Sequence, residues 1–282
     1  MEKLLLIDGN SMLFRAYYAT LYGRMMTTSN GIPTNAVYGF ITMVNKALDM
    51  IDPDYVFVAW DAGKPTFRHT TYKEYKGTRK ELDKELIVQF PIVREYLDAA
   101  GIKRYECEGI EADDIIGSIA KQHPELAIHI LSSDRDLLQL IDPTTDVYLM
   151  KKGISEIEVM DEAQLMETYT LCPQQIIDLK ALMGDSADNI PGVKGIGEKT
   201  AIKLLKEYQS VDNVYEHIAE IKGKLKEKLE NGKESAFLSK FLATIKTDAK
   251  IPVDMKTCKR VEPSTTLHDF FVKYEMNSFA KA

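Results

Sequence analysis

Residues 3–8 read KLLLID, a short apolar run that stops at an acid. YVFVAWD at 55–61 and LAIHILSSD at 126–134 end the same way. Short apolar runs with little alternation fit strands buried on both faces of a parallel sheet. Helical patterns lie between them. NAVYGFITMVNKALDM at 35–50 carries apolar residues at helical spacing, 82–99 reads as a helix bent at Pro91, and EADDIIGSIAKQ at 111–122 reads as another. IKRYEC at 102–107 and DVYLM at 146–150 add strands, with a helical DRDLLQLI at 134–141. The alternation predicts an α/β fold, a mostly parallel central sheet flanked by helices. Ligands of such sheets bind beyond the carboxyl ends of the strands, so Asp8, Asp61 and Asp134 would converge on one edge. A single Asp after a strand is ordinarily a turn former or helix cap. Three at three strand ends point to a site.

After about residue 161 the strand signals stop. PQQIIDLKALMG, EKTAIKLLKEY, VYEHIAEIKGKLKEKLE and ESAFLSKFLATI all read as helices. The expected organisation is a core over 1–175, interrupted by a basic stretch and helix at about 64–98, then a helical part over 176–282. The apolar fraction of 45% supports a proper core and excludes disorder as the main state. No apolar run approaches the roughly 20 residues a membrane helix needs. The first apolar run halts at Asp8, so no signal peptide is read, and a cytoplasmic setting is expected. Cys107, Cys172 and Cys258 are odd in number and widely spaced, which favours reduced thiols over a zinc site or a disulfide.

More acids accompany the three. Glu111, Asp113 and Asp114 open a helix, Asp134 and Asp136 form a DxD, and Asp185 and Asp188 stand three apart in GDSADN. A cap needs one acid, and the rest repel one another. Nine carboxylates in one place need cations to stay ionised. A hard oxygen set without His or Cys suits Mg²⁺ or Mn²⁺, and more acids than one ion requires suggests two.

The net charge of −7 argues weakly against a nucleic-acid partner, but the charge is segregated. Lys64, Arg68, Lys73, Lys76, Arg79 and Lys80 stand against Glu74 alone, and Lys194, Lys199, Lys203 and Lys206 against Glu198. IPGVKGIGEKTA at 190–201 has P-loop glycine spacing, but Glu198 replaces the required Lys and no strand precedes it. A helix–hairpin–helix over about 174–206 fits better, with Gly192, Gly195 and Gly197 letting backbone N–H groups approach a phosphate.

Together these segments resemble the 5′-nuclease family that includes the N-terminal domain of bacterial DNA polymerase I, its stand-alone relatives and the flap endonucleases. The matching residues are IDGNSMLFRAYYA at 7–19, FVAWDAGKPTFRH at 57–69, YKGTR at 75–79, GIEADDIIG at 109–117, SSDRDLLQL at 132–140 and GDSADNIPGVKGIGEKTAIKLL at 184–205. The resemblance implies a PIN-like or resolvase-like core with a helical arch, and a helix–three-turn–helix that grips duplex DNA and often binds K⁺ through carbonyls. It implies a two-ion Mg²⁺ site, with Mn²⁺ as substitute, on Asp8, Asp61, Glu111, Asp113, Asp114, Asp134, Asp136, Asp185 and Asp188. Lys76, Arg79 and Asp114 are the implied catalytic residues. Arg15, Arg68, Tyr75, Lys76, Arg79, Gly192, Lys194, Gly195, Gly197, Lys199 and Thr200 are the implied DNA contacts. The implied activity is 5′-3′ exonuclease and flap endonuclease on DNA and RNA primers, with a fused or cooperating polymerase. KGTRKELDKEL lacks the prolines often seen in the arch, and Lys194 stands where relatives often have Pro. Two rivals are a junction-binding module that does not cut and a small-molecule phosphohydrolase built on the DxD.

Overall fold

The computed structural model describes residues 1–22 and 25–281. Six strands form one sheet: β1 (Lys3–Asp8), β2 (Tyr55–Trp60), β3 (Lys103–Glu106), β4 (Ala127–Ser132), β5 (Thr145–Lys152) and β6 (Glu156–Met160). Their order is β3-β2-β1-β4-β5-β6, parallel throughout except that β6 runs antiparallel along β5. The strand reading missed β6. Its EIEVM sequence alternates charged and apolar residues at a sheet edge, where one row of side chains stays wet.

β1 lies at the centre and is apolar on both faces. Leu4 and Leu6 pack into one cluster with Ile115, Ile116 and Ile119 of the helix Ala112–Gln122. Leu5 and Ile7 pack into the other with the helices Gly9–Ala19, Asn35–Ile51 and Gln89–Ala99. The first cluster continues into the C-terminal helices through Leu182, Val193, Leu204 and Leu229. The last residues fold back on the opposite face, where Phe270 and Phe271 join the second cluster.

The helix expected over 82–99 is two helices, Lys84–Ile87 and Gln89–Ala99, and the break falls at Val88. Pro91 causes no bend because it sits in the first turn of the second helix, where its missing N–H costs nothing. No helix among the described residues is long and apolar enough to cross a membrane.

Candidate active site

The carboxyl ends of β1, β2 and β4 open into one cleft of ≈ 1040 Å³. Eight of the nine expected acids line it: Asp8, Asp61, Glu111, Asp113, Asp134, Asp136, Asp185 and Asp188. Several also cap helices. Asp8 Oδ1 accepts from the Ser11 N–H at 3.2 Å, while its Oδ2 accepts from the Ser132 hydroxyl at 2.9 Å. Asp134 Oδ1 accepts from the Asp136 N–H at 2.9 Å. Asp61 Oδ1 accepts from the Ala112 N–H at 2.8 Å, which ties β2 to the helix carrying Asp113. Capping and site building are therefore one arrangement.

Crowding shows in the acidities. Burial, then the charges of Asp61 and Asp134, push the Asp8 carboxyl up to about 7. Burial and Asp134 push Asp136 up to about 7 as well. Burial, followed by Asp8 and Asp134, holds Asp113 well above the usual carboxylate range. Burial also raises Asp61. Asp185 goes the other way: burial opposes ionisation, but Lys180 and the Ala187 N–H outweigh it. This is negative charge in want of a cation. Carboxylate oxygens of Asp136, Asp185 and Asp188 lie within 4.8 Å of one another. An all-oxygen donor set of this density fits hard divalent ions.

The second half of the site comes from the helical part. The helix Pro173–Met183 ends at Gly184, and backbone hydrogen bonds between Asp185 and Ile190 close the loop that carries Asp185 and Asp188. The hairpin packs directly behind it. Val193 and Ile196 are buried, whereas Lys194, Gly195, Gly197 and Lys199 are exposed. Thr200 is half-buried in the first turn of the helix Glu198–Tyr208. The Gly195 carbonyl accepts from Lys228 Nζ at 3.2 Å.

The segment after Asp61 crosses the mouth, where Lys76, Arg79, Lys80, Glu81 and Leu82 line the cleft. Lys76 sits at φ 56°, a left-handed conformation uncommon for Lys. Its N–H donates to the Asp188 carbonyl at 2.8 Å, and its ammonium pairs with Glu111. Arg79 donates to Asp188 at 2.6 Å. Arg15 lines the cleft from below and donates to the Met150 carbonyl at 2.7 Å.

Four expectations change. Asp114 does not face the cleft: it is fully buried, and both oxygens are taken by Arg68 at 2.8 Å and by the N–H groups of Glu111 and Lys246. Arg68 is only 2% exposed, so its charge is spent inside the protein rather than offered to DNA. Tyr75 is buried with its hydroxyl on Glu111, which leaves no ring face for a base. Gly192 is buried and its N–H donates to Ser239 Oγ at 2.8 Å, so it offers no donor to a phosphate. Its glycine serves close packing. At φ +63°, an added Cβ would lie 2.2 Å from the Gly184 nitrogen. Gly192→Ala should therefore cost roughly 3 kcal/mol or more in urea unfolding. Gly197→Ala, with nothing within 4 Å of the added carbon, should stay within about 0.5 kcal/mol.

Lys180 was missed by the sequence reading. Its ammonium contacts Asp136 and lies 2.6 Å from Asp185. The available signal was a lone Lys in PQQIIDLKALMG, five residues before Asp185.

Residues 3–170 match the 5′-3′ exonuclease N-terminal resolvase-like domain, and residues 171–266 match the 5′-3′ exonuclease C-terminal SAM fold. This chain belongs to the 5′-3′ exonuclease family. DNA polymerase I of Bacillus subtilis is 51% identical over 257 residues, which is 90% of this chain and 29% of that protein. DNA polymerase I of Caldicellulosiruptor bescii is 44% identical, covering 99% of this chain and 33% of that protein. The chain thus spans about a third of the length of these relatives. Phage T5 5′-exonuclease with bound divalent zinc shares the fold at a TM-score of 0.71 and 22% identity, over 98% of this chain and 99% of that one. The catalytic core of Rad2 in complex with DNA substrate does so at 0.61 and 19%, over 97% and 87%.

Proposed function

We propose that this chain is a metal-dependent, structure-selective 5′-3′ exonuclease and 5′-flap endonuclease. The observation that carries the reading is the cleft itself: eight carboxylates at one sheet edge, crossed by a basic segment and adjoined by an exposed glycine hairpin. Asp8, Asp61, Glu111, Asp113 and Asp134 would hold one divalent ion, and Asp136, Asp185 and Asp188 a second. Mg²⁺ is the expected ion, with Mn²⁺ as substitute; when bound, the pair would activate water and offset charge on the phosphate and leaving oxygen. Ser11 and Ser132 orient the Asp8 carboxylate. Lys76 and Arg79 reach from the mouth toward the reacting phosphate, where a fixed positive charge favours the transition state. Asp114 supports this arrangement from behind through Arg68.

The N–H groups of the exposed Gly195 and Gly197, with Lys194, Lys199 and the N-terminus of the helix Glu198–Tyr208, would receive a duplex backbone. Substrates are 5′ flaps, nicked or gapped duplexes and RNA primers, in primer removal and repair. The polymerase I names of the relatives support a fused or cooperating polymerase and a bacterial cytoplasmic setting.

The test is cleavage of a 5′-labelled flap in Mg²⁺ beside an EDTA control. Short labelled fragments, absent in EDTA, support the reading. Tight flap binding without any cutting would instead identify a junction-binding module, and no DNA affinity at all would favour a small-molecule phosphohydrolase. Binding should weaken steeply with salt. If Lys194, Lys199, Lys203 and Lys206 each meet a phosphate, the logarithm of the binding constant should fall with a slope of about −3 to −4 against log salt. Lys194→Ala should reduce that slope by about 1. A flat salt profile in filter binding would rule out the phosphate reading.

A further inference from the structure

The two halves of the acid cleft are not neutralised alike. In the first half only Glu111 is paired, with Arg68 and Lys76, and no salt bridge reaches Asp8, Asp61, Asp113 or Asp134 among the described residues. In the other half all three acids, Asp136, Asp185 and Asp188, are already paired with an internal cation. Lys180, on the helix Pro173–Met183, places its ammonium on Asp136 and 2.6 Å from Asp185. Those are two of the three residues whose oxygens gather within 4.8 Å, and the third, Asp188, is taken by Arg79 at 2.6 Å. The Lys180 side chain is 16% exposed, so it is a seated charge rather than a surface one.

An ammonium and a divalent ion compete for the same carboxylate oxygens. Placed a few ångströms apart, they also repel. The lysine stem is flexible, and Leu179, Lys180 and Met183 border the open cleft, so there is room for the ammonium to move. We propose that Lys180 is a built-in counter-ion for Asp136 and Asp185 in the metal-free protein, and that a divalent ion must displace it to bind there. The position at Asp136, Asp185 and Asp188 is then the weaker of the two, and Lys180 sets how much weaker. This rests on the two-ion reading above.

The experiment is Mn²⁺ titration by calorimetry of the full chain without DNA, for the wild type, Lys180→Met, Lys180→Arg and Asp185→Asn. The wild type should show a tighter and a weaker class of site. Lys180→Met should tighten the weaker class by on the order of tenfold. The tighter class should stay where it was, and Lys180→Arg should resemble the wild type because it keeps the charge. An unchanged or weaker second class in Lys180→Met would overturn the proposal. If Asp185→Asn alone loses the second class, the metal reading stands and only the role of Lys180 falls. If no variant and no wild type binds Mn²⁺, both fall together.

A second measurement needs no substitution. Acylation of Lys180 in the wild type, followed by peptide mass spectrometry, should be slow in EDTA and severalfold faster in saturating Mn²⁺. Equal or slower modification in Mn²⁺ would mean that the ammonium stays seated, against the proposal.

Discussion

Asp8→Asn should abolish flap cleavage and at the same time stabilise the metal-free protein. The two effects share a cause. Asp8 is 4% exposed at the end of β1, and burial with the charges of Asp61 and Asp134 pushes its carboxyl up to about 7. Asn preserves the shape and caps a helix as well as Asp does, so the hydrogen bond from the Ser11 N–H survives. What disappears is a charge the fold holds at a cost and the chemistry requires. Cleavage should fall roughly 10³-fold or more, the scale on which one electrostatic element of an active site is felt. A group whose folded pKa exceeds its unfolded value favours the fold at low pH, and that contribution is lost as pH rises through the folded value. The metal-free wild type should therefore melt lower at pH 8 than at pH 5.5, through Asp8 and also Asp136. Asp8→Asn should flatten its share of that slope and gain a few kcal/mol at pH 8. Mg²⁺ should narrow the gap between the two proteins, because the variant lacks one ligand of the first ion and so gains less from binding than the wild type does. Differential scanning calorimetry in EDTA and in Mg²⁺ reads all of this. A variant less stable than the wild type at pH 8 without metal would contradict it.

The sheet was legible because β1, β2 and most of β4 are apolar on both faces, and runs that short with helical patterns between them fit strands better than buried helices. The convergence of Asp8, Asp61 and Asp134 followed from the same fact, since parallel strands share one carboxyl edge. β6 went unread because its alternation of charged and apolar residues, the pattern of a half-exposed edge strand, spans only five positions. The break at Val88 was misplaced because a Pro in a first turn and a Pro in a helix interior look the same until the start of the helix is known. The harder cases concern direction. Asp113 and Asp114 are adjacent, yet one faces the cleft and the other faces Arg68. Which of two neighbouring acids points inward depends on where the helix Ala112–Gln122 lies against β2, and that is a tertiary fact. Arg68 and Lys180 show the same limit. Each cation could be read as surface charge, and only the packing reveals which carboxylates surround it.

Arg68→Met should be strongly destabilising, and it should act on the fold rather than on DNA contact. The guanidinium makes a two-pronged pair with Asp114 at 2.8 Å on each side, reaches Glu111 at 2.5 Å, and donates to the carbonyls of Leu242 and Thr244 at 2.9 and 2.8 Å. It thereby joins the root of the 64–98 segment, the helix bearing Asp113 and the end of the helix Lys233–Ala243. Burial alone would disfavour the charged guanidinium, but Asp114 and Glu111 outweigh it and hold it above its ordinary range. Removing it leaves Asp114 fully buried without a cation, a loss of about 3–5 kcal/mol. For a chain of this size that is a fall of roughly 10 °C in Tm. Arg68→Lys keeps a charge but loses the planar fork and the carbonyl contacts, so it should fall between the two. At a temperature where Arg68→Lys is folded, its flap affinity should match that of the wild type, because a side chain 2% exposed meets no phosphate. Unchanged stability with lost DNA binding would return Arg68 to the interface. The same logic bears on Asp114→Ala: lost cleavage in that variant reports a missing partner for Arg68 before it reports a missing metal ligand. Its melting curve therefore has to be read beside its rate, whereas Asp8→Asn separates the two in a single protein.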